Sequence, residues 1–108
     1  ISDFSDGDVS VMIDFGGGQV RVYDAIHKEG EALFGMMEDT VRSGGLVFEF
    51  EEFSGLGKII TRIGDSENGF GAEYWQYWVN NEYAKVGADS YFPTPGDVVL
   101  WKFTKQQL

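Results

Sequence analysis

Four aromatic side chains crowd into the five positions Tyr74-Trp75-Gln76-Tyr77-Trp78, and an Asn80-Asn81 pair follows. Indole and phenol rings bury much area at little entropic cost, and each carries one polar handle, so such a cluster can stack a flat ring, a heterocycle or a sugar. Alternate residues of a strand face opposite sides. Tyr74, Gln76 and Trp78 therefore share one face, with Trp75, Tyr77 and Val79 on the other. A strand that is aromatic on both faces has something to bury on each. In a chain of 108 residues the second partner is a ligand or another domain.

The other chemistry-bearing residues carry weaker patterns. Asp3-Phe4-Ser5-Asp6-Gly7-Asp8 resembles a fragment of a Ca²⁺ loop, because carboxylates spaced around a glycine suit a hard cation, but the terminal Glu is missing. Asp65, Glu67 and Asn68 are a second candidate set for Ca²⁺, set against a plain hairpin loop. Glu49, Glu51 and Glu52 read as a solvated strand edge that discourages pairing. His27 is the only histidine and has no metal-type or nucleophile partner nearby. Gly16-Gly17-Gly18 lacks the Lys and following helix of a phosphate loop. With no nucleophile elbow and no justified carboxylate pair, the chain reads as non-catalytic.

Composition narrows the classes further. Eight basic against eighteen acidic residues give a net charge of −10, which argues against nucleic acid and anionic lipid as partners. It suits a cationic or neutral ligand, Ca²⁺, or simple solubility. The absence of cysteine excludes zinc-cysteine sites, disulfides and thiol catalysis. No apolar run reaches the roughly 20 residues of a membrane-spanning helix. The chain starts at Ile1 without Met. A mature or trimmed form is expected, with any export signal or lipid anchor lying upstream.

These residues need elements to position them. Residues 1–7 read as an acidic leader or linker and 8–108 as one domain. Val9 to Phe15 and Gln19 to Ile26 alternate as strands around the glycine turn, forming a hairpin. Glu31 to Arg42 carries the helical stripe Leu33, Met36, Met37, Thr40, Val41 and stops at Gly44-Gly45. Leu46 to Phe53 and Lys58 to Ile63 read as strands, Gly64 to Glu73 as a loop, and Tyr74 to Val86 as a hairpin turning at Asn80-Asn81. Pro93 to Asp97 is a turn and Val98 to Phe103 the last strand. Hairpin, helix, then strands is the layout of an α+β, β-grasp (ubiquitin-like) fold, one helix on a mixed β-sheet with an additional aromatic hairpin. One helix covers one face, so the other is expected to be partly covered by loops and partly available for binding. A barrel-like closure is the alternative.

The segment from Gly71 to Phe103 resembles the C-terminal β domain of transcobalamin and intrinsic factor, and a prokaryotic family of uncharacterised extracellular domains. The resemblance rests on Tyr74-Trp75-Gln76, on Val86-Gly87-Ala88-Asp89-Ser90-Tyr91, and on Gly96-Asp97. Gly57-Lys58-Ile59-Ile60-Thr61-Arg62-Ile63-Gly64 and Trp78-Val79-Asn80-Asn81-Glu82-Tyr83-Ala84 match the prokaryotic family, whose usual turn is Asn-Gly. In the vitamin carriers cobalamin sits between a helical domain and this β domain, so half a site at most is implied here. The resemblance implies ligand-binding roles for Gln76, Tyr77, Trp78, Lys85, Val86 and Tyr91, and Tyr83 joins them as an aromatic candidate of the same hairpin. It also implies an extracellular or surface-anchored setting. The expected function is a binding module for a small or amphipathic ligand, with cobalamin as the implied corrinoid. A partner domain or a homodimer would complete the site. The alternative is a structural or adhesive module packing on a neighbouring domain or second copy, with Ca²⁺ or glycan binding.

Overall fold

The computed structural model describes residues 8–55 and 57–105. Their elements are β1 (Asp8–Gly16), β2 (Gln19–Ile26), α1 (Leu33–Ser43), β3 (Phe48–Phe53), β4 (Gly57–Ile63), β5 (Ser66–Glu67), β6 (Glu73–Val79), β7 (Glu82–Tyr83) and β8 (Val98–Lys105). A short 3-10 turn at Phe70–Ala72 precedes β6. The acidic leader, and the Ca²⁺-loop resemblance apart from Asp8, lie outside the described residues.

The fold is α+β: one helix, a mixed sheet, and a second antiparallel sheet. The large sheet runs β2-β1-β8-β6-β7 and the small one β3-β4-β5. Only β1 and β8 are parallel, with Val11 opposite Val99 and Ile13 opposite Trp101. The small sheet is a departure from a single mixed sheet. Short alternating strands state which face is apolar but not which neighbour they join, and β3 and β4 find each other through a local hairpin. The Gly64–Glu73 loop likewise contains β5 and the 3-10 turn. The large sheet is open, with β2 and β7 at its edges, so the barrel-like closure does not form.

One core lies between the layers. Val9, Val11 and Ile13 of β1, Val99, Trp101 and Phe103 of β8, and Trp75 and Tyr77 of β6 all face inward. They meet Leu33, Met36, Met37 and Val41 of α1 and Phe48, Ile60 and Ile63 of the small sheet. The helix therefore buries the stripe read from its spacing, with Phe34 added and Thr40 half-buried. Its N-terminus has no side-chain cap. Leu33 N–H instead donates to Tyr91 O at 2.7 Å and Phe34 N–H to Ala88 O at 2.9 Å. A distant loop thus satisfies amides that a helix start leaves orphaned. The opposite face of the large sheet is largely uncovered: Val22 is 62% exposed and Val98 48%.

Candidate ligand-binding site

The aromatic strand is β6, antiparallel to β8 along its whole length. Asn80 and Asn81 turn it into β7 with φ of 49° and 72°. Two successive positive φ values define the mirror-image turn that suits hairpin twist, and Asn tolerates them better than most residues. Ala84 N–H donates to Tyr77 O at 3.0 Å, extending the hairpin beyond β7.

The inward face of β6 belongs to the core. Tyr77 stacks on Trp101 with centroids 4.7 Å apart, and its hydroxyl donates to Val86 O at 2.6 Å. Burial, helped by the Asp89 carboxylate, pushes the Tyr77 phenol up to about 12. Trp75 lies edge-on to Phe15 and donates its Nε1–H to Ser66 O at 2.8 Å.

The outward face carries Gln76, Trp78 and, across the hairpin, Tyr83. Gln76 is buried and donates through Nε2 to Lys105 O at 3.0 Å and Thr104 O at 3.2 Å. Its Oε1 accepts from the Tyr83 hydroxyl at 3.0 Å. The Trp78 ring sits edge-on to Tyr83 at 5.2 Å.

The loop after β7 is tied down by acids. Asp97 accepts the Tyr91 hydroxyl on Oδ2, together with Thr94 N–H at 2.9 Å. Its Oδ1 accepts Thr94 Oγ1–H at 3.1 Å and Asn80 Nδ2–H at 3.0 Å. Burial pushes the Asp97 carboxyl up, but these four donors outweigh it and hold it below the ordinary carboxylate value. Burial, and then the bond to Asp97, raises the Tyr91 phenol to about 12. Asp89 Oδ2 accepts Lys58 N–H at 2.9 Å, joining the same loop to β4.

Two clefts flank the hairpin. One of about 470 Å³ brings together Tyr77, Tyr83, Lys85, Val86 and Tyr91. A narrower one of about 170 Å³ lies between β4 and the hairpin and is lined by Gln76, Tyr77, Tyr83, Val86 and Trp101. Six of the seven expected ligand residues thus line one cleft or the other. Trp78 lines neither and faces the outer surface of the sheet. Trp101 belongs to the core at 3% exposure. Yet its buried Nε1–H meets no acceptor. Lys58 and Ile60 of β4 also line the narrow cleft. Nothing in their own strand pattern marks them, because only the long-range packing of β4 on β6 brings them there.

Two of the three Ca²⁺ candidates, Glu67 and Asn68, are engaged by protein groups. Glu67 pairs with Arg62 at 3.2 Å. Asn68 donates to Ile60 O at 3.1 Å and accepts from Trp75 N–H at 2.8 Å, stitching β4 to β6. Asp65 is exposed. Among the described residues no three acidic or histidine side chains are grouped to hold a metal ion. His27 donates its Nε2–H to Pro93 O at 3.0 Å. No helix among the described residues is long and apolar enough to cross a membrane.

Comparison with known proteins agrees with the resemblance seen in the sequence. The profile of a family described as a domain of unknown function, DUF4430, matches residues 30–105. No curated protein matches the chain. Among solved structures, haptocorrin in complex with Cbi superposes with a TM-score of 0.76 at 22% identity. The superposition covers 98% of this chain and 27% of haptocorrin, so the chain spans about a quarter of that protein. A presumed metal binding protein from Ruminococcus gnavus ATCC 29149 superposes with a TM-score of 0.72 at 16% identity, covering 93% of this chain and 98% of that one. At these identities the likeness is one of fold.

Proposed function

This chain belongs to the DUF4430 family, and on that premise we propose that it is a non-catalytic module binding a small or amphipathic ligand at the aromatic hairpin. The observation that carries the reading is the buried Trp101 Nε1–H without an acceptor, in a residue that lines the cleft beside Tyr77. A buried donor left unpaired costs free energy, and a ligand acceptor entering the cleft recovers it. The mixed sheet with its parallel central pair and single helix supports a β-grasp reading of the whole domain.

A corrinoid is our first candidate, on the strength of the superposition on haptocorrin bound to Cbi. The clefts, about 170 and 470 Å³, suit a side group rather than a whole macrocycle. A peripheral amide in the narrow cleft would present its carbonyl to Trp101, and a second domain or copy would cover the rest. An exported or surface-anchored setting follows from the resemblance seen in the sequence. The second reading is a structural module that packs through the uncovered sheet face, favoured by exposed Met12, Val22 and Val98.

The test is a titration of the protein with cobinamide, cobalamin and Ca²⁺, following tryptophan fluorescence and melting temperature together. A ligand binding only the native state at about 100 times its Kd adds about 2.7 kcal/mol, or about 12 °C in Tm. Saturable quenching with such a rise, weakened about tenfold in Trp101→Phe, is the expected result. Silence with both corrinoids, beside self-association through the sheet face, would replace this reading with the second.

A further inference from the structure

Strand β2 ends the large sheet, and its outer edge is unpaired. The parity of the ladder tells which groups it offers. Ser10 N–H donates toward β8, to Asp97 O at 3.0 Å. Ser10, Met12 and Asp14 therefore turn their backbone groups to β8, and Val9, Val11 and Ile13 turn theirs to β2. Their partners Ala25, Tyr23 and Arg21 are occupied. Val20, Val22 and Asp24 then present N–H and C=O outward, and no backbone partner for them occurs among the described residues.

The other edges are guarded. β5 and β7 are two residues each. β3 carries Glu49, Glu51 and Glu52 and a register shift at Glu49/Phe50. Short strands, charges and bulges are the usual protections against unwanted pairing. β2 is the least protected: its charges are Arg21 and Asp24, the register shift of its ladder lies at the Asp14/Gly16 turn end, and it is eight residues long, without proline, leaving Val20, Val22 and Ile26 between 47% and 72% exposed.

Beside this edge, between β2 and α1, lies a cleft of about 380 Å³ lined by Tyr23, Met36, Thr40 and Gly44. The Tyr23 hydroxyl is buried there without a partner. Gly44 keeps the space, since a Cβ on it would stand 2.8 Å from that hydroxyl. Asp24, Glu31 and Asp39 also line the cleft against the single Lys28, which is 3.9 Å from Asp39.

We propose that this edge and cleft receive an extended peptide segment of another protein, apolar residues alternating with Lys or Arg, as a sixth strand beside β2. Only an extended backbone meets a row of alternating donors and acceptors along a strand. Alternation turns the two kinds of side chain to opposite faces: the Lys or Arg stems lie in the cleft over Met36 with their charges on Glu31 and Asp39, and the apolar ones extend the outer face beside Val20, Val22 and Ile26. A second copy of this chain is disfavoured as occupant by its own net charge of −10.

The probe is a nine-residue peptide of alternating Val and Lys with blocked ends. Its control is the same peptide N-methylated at alternate amides, which keeps the charge and abolishes the ladder. Backbone NMR of the protein reads the site. The plain peptide is expected to shift Val20, Val22 and Asp24 and to slow their amide exchange, and the methylated one is not. Val22→Pro removes one outward N–H and spares the β1 ladder, so it weakens binding about fivefold for the lost bond. Asp39→Lys provides a second variant that does not touch the strand. Equal binding of the methylated peptide or of a Val-Glu peptide would overturn the proposal. So would shifts confined to the hairpin, β2 self-pairing without peptide, or no binding at millimolar peptide.

Discussion

Replacing Asp97 by Asn should be among the most damaging single changes on the hairpin side of the molecule, although it adds no volume. Both carboxylate oxygens are acceptors, two donors to each. An amide turns one oxygen into a donor. Whichever way it faces, two existing donors then confront an N–H: either Tyr91 and Thr94 N, or Asn80 and Thr94 Oγ1. Bonds to a charged group contribute about 1.5–3 kcal/mol each. Two are lost, and rotation of the hydroxyl groups recovers part, so the expected cost is about 3 kcal/mol. For a domain of this size that lowers Tm by about 15 °C. The assay is urea unfolding at neutral pH with a thermal melt. The pH dependence supplies a second, independent reading. The folded-state carboxyl sits below its ordinary 3.8, so between the two values the unfolded chain binds more protons. Stability therefore rises with pH across that window and is lost as pH falls through the folded value. Asp97→Asn should remove this contribution to the slope. A cost below about 1 kcal/mol together with an unchanged acid limb would refute the reasoning, because it would mean the four short contacts do not bear on the folded state.

The hairpin turn offers a contrast within two residues. Asn81 sits at φ 72°, so Asn81→Gly should stabilise by about 0.5 kcal/mol. Asn80→Gly should instead destabilise by about 1 kcal/mol, because its side chain donates to Asp97 and accepts from Val98 N–H at 2.9 Å; paired urea titrations decide both signs. Gly57 has φ +82°, and a Cβ there would stand 2.3 Å from Asp89 Oδ2. Gly57→Ala should therefore cost more than about 2 kcal/mol, and a similar loss in Asp89→Ala with little further loss in the double variant would show that the two act as one unit.

Much of this architecture could be read from local pattern. β2 runs from Gln19 to Ile26 as alternation implied, and Leu33, Met36, Met37 and Val41 are buried as helical spacing required. The Asn-Asn turn and the shared face of Trp75 and Tyr77 follow equally from local chemistry. What stayed hidden depends on partners distant in sequence. Alternation places Gln76 on the outward face but cannot say that the carbonyls of Thr104 and Lys105 engage its amide. Gly96-Asp97 reads as a turn, yet its carboxylate is held by Asn80 from the opposite hairpin. Trp101 looks like core from its strand, and its unpaired N–H shows only once β4 and β6 are packed.

The segment joining β7 to β8 has almost no regular structure, and in most chains that would make it the loose part of a site. Here it is fastened at successive points. Val86 O accepts the Tyr77 hydroxyl, and Ala88 O and Tyr91 O accept the first amides of α1. Asp89 accepts Lys58 N–H, and Tyr91 donates to Asp97. The ties reach β6, α1 and β4, and Asp97 is bonded in turn to Asn80, so the loop cannot shift without disturbing the helix start, β4 or the hairpin turn. Lys85 and the exposed edge of Val86 lie between these ties and line the larger cleft. A ligand meeting them would find the groups already positioned and would spend little of its interaction energy on ordering the loop. The same argument explains why irregular backbone is tolerated beside the core: the carbonyls of Ala88 and Tyr91 are matched to amides left over at the helix start. On that view the aromatic strand supplies the wall of the site, and the acidic residues Asp89 and Asp97, which touch no ligand in this scheme, hold the second wall in place.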